Sequence, residues 1–238
     1  MKIGATGCSN SSNSWGHPWY DYVGLEYNAK IISSSSSGAG NEMNVDKMKY
    51  ILENNNLDYF IVQVTEPARF VVGINDYIYD LPNGKINEWV GTLGLHGANR
   101  FKDLAYYTFN GHNNQDNLKR LFKKDFNVDD FFINHVFTSN YNSRNKVFHT
   151  LLTMKQLCDV YNVKILFFSW FANLHELADS CGYSDIIKNL DICDGFVFEY
   201  TKQNGISPLP DGHFGSEGHK AIFDGYLKPF LDKHLKTI

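Results

Sequence analysis

Three short stretches of this sequence carry residue types suited to nucleophilic chemistry. The first is Gly7-Cys8-Ser9-Asn10-Ser11, directly after the apolar run Lys2 to Thr6. A serine hydroxyl is a poor nucleophile until an imidazole takes its proton, and that imidazole needs a carboxylate to hold its tautomer and orientation. Asp211 and His213, one residue apart within Pro210 to His219, supply both groups. The third stretch is Ser37-Gly38-Ala39-Gly40-Asn41. Gly38 there lets the backbone approach a substrate and point an N–H into a cleft, while Asn41 either adds an amide donor or caps a helix beginning around Asn44. Each stretch also has a plainer reading. Serine serves many turns, and Asp-Gly is a favoured turn dipeptide that would leave His213 exposed at a helix start, with Ser216 or Glu217 opening the helix.

The elements that would position these groups alternate. Four apolar, β-branched-rich runs read as buried parallel strands: Lys2 to Thr6, Lys30 to Ser33, Tyr59 to Thr65 and Lys164 to Trp170. Gly195 to Tyr200 reads as a fifth, and the serines from Ser33 to Ser37 as a strand end running into a turn. Between them Val45, Met48 and Leu52 share a helical face, as do Val147, Leu151, Met154 and Cys158, and then Ile222, Tyr226 and Phe230. Pro229 is expected to kink or end that last helix. Alternating strands and helices predict a three-layer α/β/α fold around a central parallel sheet. Ligands bind such sheets beyond the carboxyl ends of the strands, which is where Ser9 and Gly38 fall.

Composition narrows the functional classes. With 22 Lys and Arg against 26 Asp and Glu, the net charge of −4 disfavours a nucleic-acid partner, and basic pairs such as Lys123-Lys124 are too short to change that. No apolar run is long enough to cross a bilayer, and no signal peptide is visible. The expected location is therefore the cytoplasm or a larger particle. Cys8, Cys158, Cys181 and Cys193 are scattered without metal-type spacing and read as free or buried thiols. His175-Glu176 lacks paired-ligand spacing, and Gly38-Ala39-Gly40 lacks the third glycine of a dinucleotide loop, so neither a metal nor a cofactor is expected.

The three stretches together resemble the SGNH (GDSL-like) hydrolase superfamily. The resemblance rests on Gly7-Cys8-Ser9 followed by His17-Pro18-Trp19, the Ser37-Gly38-Ala39-Gly40-Asn41 block, Thr65-Glu66-Pro67-Ala68-Arg69 after the third strand, and the terminal Asp211-Gly212-His213 block. It spans nearly the whole chain and implies one flavodoxin-like domain over residues 1–238. It also implies Ser9 as nucleophile, His213 as general base and then acid, Asp211 as its orienting partner, and a structural His219. The oxyanion hole would use the backbone N–H groups of Ser9 and Gly38, with Asn41 as a further donor. Two departures stand out. The family usually separates the final Asp and His by two residues, and its third block offers a Gly-x-Asn-Asp whose asparagine binds the oxyanion. Here Thr65-Glu66-Pro67 occupies that place, while a literal Gly73-Ile74-Asn75-Asp76 lies further on and reads as coincidence. Asn41, Asn75 and Thr65 are the candidates for the missing donor.

The resemblance implies a serine esterase acting on an O-acyl ester, such as an acetyl ester on a sugar. Trp15, Trp19, Trp89 and Trp170 are candidate sugar platforms, though each suits a core position better. The competing class is a catalytically degenerate module that binds glycans or takes part in assembly. Residues 70–129 break the strand–helix rhythm with glycines and aromatics, among them Tyr77, Trp89 and Tyr107. They read as an insertion of loops and short helices that forms a substrate wall, with Arg69 as a clamp at its root.

Overall fold

The computed structural model describes residues 1–35, 39–66, 70–74, 98–101, 104–109 and 140–235. Strands β1 (Lys2–Gly7), β2 (Lys30–Ser35), β3 (Tyr59–Val64), β7 (Lys164–Ser169) and β8 (Asp191–Ile192) form one sheet in the order β2-β1-β3-β7-β8. All four pairings are parallel, with Ala5 opposite both Ser33 and Ile61, and Ile61 opposite Leu166. The order reverses at β1, so the loop after β1 emerges at the topological switch point, where open parallel sheets place their ligands.

Side-chain alternation along the strands separates two cores. Phe60, Val62, Val64, Ile165 and Phe167 face one side and pack with Met48, Ile51 and Leu52 of α2 (Asn41–Asn54) and with Val147, Phe148, Leu151, Met154 and Cys158 of α3 (Asn140–Val160). On that side α4 (Leu174–Cys181) and α5 (Ser184–Ile187) add Leu174, Ala178 and Ile187. Ile3, Ala5, Ile61, Leu166, Phe168 and Trp170 face the other side. They pack against Trp19, Tyr20 and Val23 of α1 (Trp19–Glu26), Val197 of α6 (Val197–Gln203), Ile222 of α7 (Ser216–Ile222) and Leu231 of α8 (Lys228–His234). The architecture is the expected three-layer α/β/α fold.

Three expectations need correction. The run Gly195 to Tyr200 is not a strand. Gly195 turns with φ +71°, α6 follows, and Val197 and Thr201 bury one helical face four residues apart. The fifth strand is instead the two-residue β8, too short to show a period. The last helix is not simply ended by Pro229. A π-helical turn, Phe223–Leu227, joins α7 to α8, and Pro229 sits in the first turn of α8. The wider π turn accommodates a residue that offers no N–H to the preceding turn. The insertion is not only loops and short helices. It holds a three-stranded antiparallel sheet, β4 (Phe70–Ile74), β5 (Ala98–Phe101) and β6 (Leu104–Phe109), in the order β4-β6-β5. Val71, Val72, Ile74, Tyr106 and Thr108 are the β-branched and aromatic types that favour such strands. Gly73 pairs with Tyr106 inside β4, so the Gly73-Ile74 part of that tetrapeptide belongs to an antiparallel strand. Arg69, Asn75, Tyr77, Trp89 and the remaining parts of the insertion lie outside the described residues.

The β1–β3 contact is tight because Gly4 has no side chain. A Cβ there would lie 2.5 Å and 2.6 Å from two ring carbons of buried Phe60 and 2.8 Å from Leu57. Gly4→Ala is expected to destabilise the protein by about 1–3 kcal/mol, the usual cost of overpacking. A lowered urea midpoint with unchanged m-value in equilibrium unfolding would be the signature.

Candidate active site

The chain leaves β1 at Gly7 and enters a 3-10 turn, Ser9–Ser11, closed by Ser11 N–H to Cys8 C=O (2.9 Å) and Ser12 N–H to Ser9 C=O (3.0 Å). Fully buried Gln63 of β3 fixes this turn from the side. Its Oε1 accepts from Cys8 N–H (3.0 Å) and from the Ser11 hydroxyl (2.8 Å), and Ser11 Oγ accepts from the Trp19 indole N–H (2.6 Å). A Cβ on Gly7 would sit 2.4 Å from Ser11 Oγ and 2.5 Å from Gln63 Oε1, so only glycine leaves room for the network. Ser9 is thereby held at the sheet's switch point, 5% exposed.

The second half of the site is the loop before α7. Gly212 adopts φ +84°, Gly212 N–H bonds Leu209 C=O (2.9 Å), and Leu209 N–H bonds His213 C=O (2.7 Å). Asp211 Oδ1 accepts from His213 N–H (3.1 Å), and Asp211 Oδ2 lies 3.4 Å from His213 Nδ1. The His213 backbone N–H, against an opposing desolvation and with smaller help from the Trp15 indole N–H and the His213 ring, holds the Asp211 carboxyl below its usual value. The α7 helix begins at Ser216, as expected, with Gly215 as its N-cap.

Contacts from the residues just after Ser9 tie the two loops together. The Trp15 indole N–H donates to Asp211 Oδ2 (2.5 Å), and its ring stacks on the His213 imidazole, with centroids 3.7 Å apart and planes 8° from parallel. His17 N–H donates to Ser216 Oγ (2.9 Å), and the Tyr22 hydroxyl donates to Ser216 C=O (2.8 Å). Gly16, at φ +121°, permits this approach, since a Cβ there would lie 2.3 Å from Ser216 Oγ. Asp211 and His213 are thus brought against the Ser9 loop. Among the described residues no hydrogen bond joins Ser9 Oγ to His213; such bonds often close only around substrate.

Other candidates fall differently. Gly38 lies outside the described residues. Asn41 is the first residue of α2 and does not cap it; Gly40 is the N-cap. Its side chain is spent on Thr65, accepting from Thr65 N–H (2.9 Å) and donating to Thr65 C=O (3.4 Å). The Thr65 hydroxyl, buried at the tip of β3, has no hydrogen-bond partner among the described residues. Trp19 and Trp170 are fully buried core residues, whereas Trp15 is half-buried at the site. The four cysteines are free thiols, three of them buried. No described helix is long and apolar enough to cross a membrane. Sequence reasoning missed Gln63, Ser11 and the role of Trp15. The one available signal for Gln63 was an amide inside an otherwise apolar strand run.

No family model matches the chain, and no curated protein sequence does so at a significant level. Solved structures do match. TesA superposes with a TM-score of 0.55 at 10% identity, covering 99% of this chain and 100% of its own. The psychrotrophic esterase EstA from a Pseudoalteromonas species, a structure inhibited by monoethylphosphonate, gives 0.51 at 11% identity, covering 97% and 98%. The chain has the SGNH-hydrolase fold. A catalytic mutant of an acetylxylan esterase from Geobacillus stearothermophilus gives 0.50 at 12% identity, covering 96% and 93%. At these identities the likeness is one of fold.

His219, six residues beyond His213, contrasts with it in environment. It is 2% exposed against Trp170 (ring centroids 5.9 Å), and burial, with a smaller repulsion from His213, pushes its pKa from 6.5 down to about 4. Between those values the unfolded chain holds a proton that the folded chain does not. Stability present above pH 6.5 is therefore lost as pH falls toward 4, by on the order of 3 kcal/mol. Urea unfolding across that window should show a shallower pH slope for His219→Leu than for the wild type.

Proposed function

We propose that the protein is a serine acyl-ester hydrolase that works through an acyl-enzyme, with Ser9, His213 and Asp211 as its triad. One observation carries the reading: the segment that follows Ser9 reaches across to the Asp211–His213 loop through Trp15, with a 2.5 Å hydrogen bond to the carboxylate and a stack on the imidazole. A turn that merely exposed a histidine would not need that contact. Ser9 Oγ attacks the acyl carbonyl as His213 takes its proton, and Asp211 offsets the imidazolium charge. Collapse of the tetrahedral intermediate returns the proton to the departing alkoxide, and water then repeats the sequence on the acyl-enzyme.

For the oxyanion, the Ser9 and Gly38 backbone N–H groups remain the assigned donors. The third is better supplied by the Thr65 hydroxyl than by Asn41, because Asn41 spends its amide on the Thr65 backbone while Thr65 Oγ1 has no partner among the described residues. The substrate class is an O-acyl ester, and an acetyl group on a sugar fits the acetylxylan esterase among the structural neighbours. The alternative, a glycan-binding or assembly module on the same fold, draws on the lack of a Ser9–His213 hydrogen bond among the described residues.

A fluorophosphonate probe separates the two. Mass spectrometry of the labelled protein should find the adduct on Ser9. A folded protein that takes no label selects the binding module, and label on Ser11 or Ser12 moves the nucleophile. With a small activated acetate ester, His213→Ala should lower kcat by several orders of magnitude, whereas His219→Ala should act mainly on stability. Equal catalytic loss at both histidines, in folded variants, would overturn the assignment.

A further inference from the structure

The contacts of Asp211 are unusual for a triad carboxylate. With only Gly212 between Asp211 and His213, the carboxylate turns back on its own loop, and Oδ1 accepts from the His213 backbone N–H at 3.1 Å. Oδ2 is the oxygen left to face the imidazole, and it lies 3.4 Å from Nδ1, beyond an ordinary N–H···O bond. The carboxylate alone therefore orients the imidazole weakly. Trp15 acts on both partners at once. Its N–H fixes Oδ2 at 2.5 Å, and its ring lies flat on the imidazole at 3.7 Å and 8°. The indole covers one face of the ring and sets its plane, and the hydrogen bond keeps the carboxylate from rotating away.

We infer that Trp15 is a positioning residue for the proposed triad, holding the His213 ring and the Asp211 carboxylate in register where the short Asp-Gly-His spacing cannot. This rests on the hydrolase reading and extends it to a residue on the nucleophile's own loop. It also removes Trp15 from the sugar platforms on the face that His213 occupies. The loop geometry supports the role. Gly16 takes a left-handed φ, and His17 N–H is tied to Ser216 Oγ, so Trp15 is anchored from its C-terminal side to the loop that it clamps. A misplacement of about 1 Å in catalytic geometry can cost on the order of 100-fold in rate, which sets the scale of the effect.

The test uses the full chain and two substitutions. Trp15→Phe keeps a stacking ring and loses the N–H; Trp15→Ala loses both. Activity on an activated acetate ester is normalised to the sites titrated by a fluorophosphonate end point, which removes any unfolded fraction. The expected result is a fall in kcat of about 10-fold for Phe and about 100-fold for Ala, with KM within about twofold. Emission gives a second readout that needs no turnover. An imidazolium in contact with an indole quenches it, so the wild-type minus Trp15→Phe emission should drop as the His213 ring gains its proton.

That ring faces Asp211 on its own loop, the Trp15 indole, and His219 from α7, which stays neutral down to about pH 4. His17, paired with Asp21 on the Trp15 loop, is removed as a source of the signal by His17→Gln. An active wild type whose kcat per titrated site survives Trp15→Ala overturns the inference, as does a flat difference emission. An inert wild type with the quench intact would instead remove the hydrolase reading, and with it the catalytic meaning of the clamp.

Discussion

The hydrogen bonds of Gln63 across the β1–β3 edge fix the turn on which the candidate nucleophile sits. An amide in the middle of a parallel sheet is costly unless its polar atoms are paired. Here the pairing is made by the strand-to-turn junction itself, through Cys8 N–H and the Ser11 hydroxyl, with the Trp19 indole N–H completing the chain. Each part requires the others. Gly7 must lack a side chain so that Ser11 and Gln63 can meet, and Trp19 must begin α1 so that its indole reaches back under the turn. The cost of leaving any of these buried groups unpaired holds the turn, and Ser9 with it, in one place.

The other half of the site depends on loop-to-loop contact rather than on the sheet. Asp211 is half-exposed, so its attraction to His213 is screened and contributes more to geometry than to stability. What brings the pair to the Ser9 loop is the set of bonds from Trp15, His17 and Tyr22 to Asp211 and Ser216. The two histidines of this region sit in different surroundings. His219 lies in the core against Trp170 and stays neutral, while His213 sits at the rim with a carboxylate beside it.

Much of this was legible in the sequence, and the failures have physical causes. The strands β1, β3 and β7 showed themselves as short runs with few charges, the pattern of strands buried on both faces. By contrast, β2 lies at the sheet edge with no fully buried residue and showed only through its Ile31-Ile32 pair. The helices α2 and α3 were visible because one face of each carries apolar residues at helical spacing. Phe196-Val197-Phe198 misled for the same reason: a short aromatic and β-branched run is ambiguous between strand and helix, and the turn at Gly195 settles it only in three dimensions. The strands β4, β5 and β6 were hidden because glycines and prolines between them read as loop, although antiparallel hairpins also need such residues.

By itself the sequence determined the layer architecture, the placement of Ser9 after the first strand, and the Asp211–His213 pair before the last helices. These follow from local periodicity and short motifs, which a chain carries wherever it folds. Only the tertiary structure decided which buried polar groups meet. Gln63 reaches Cys8 and Ser11 from more than fifty residues away, Asn41 gives its amide to Thr65, and Trp15 lies on His213. Hydrogen bonds and ring stacks depend on separations of about 3 to 4 Å between segments remote in sequence. No period or spacing along the chain encodes those separations; they are set when both cores close on the sheet.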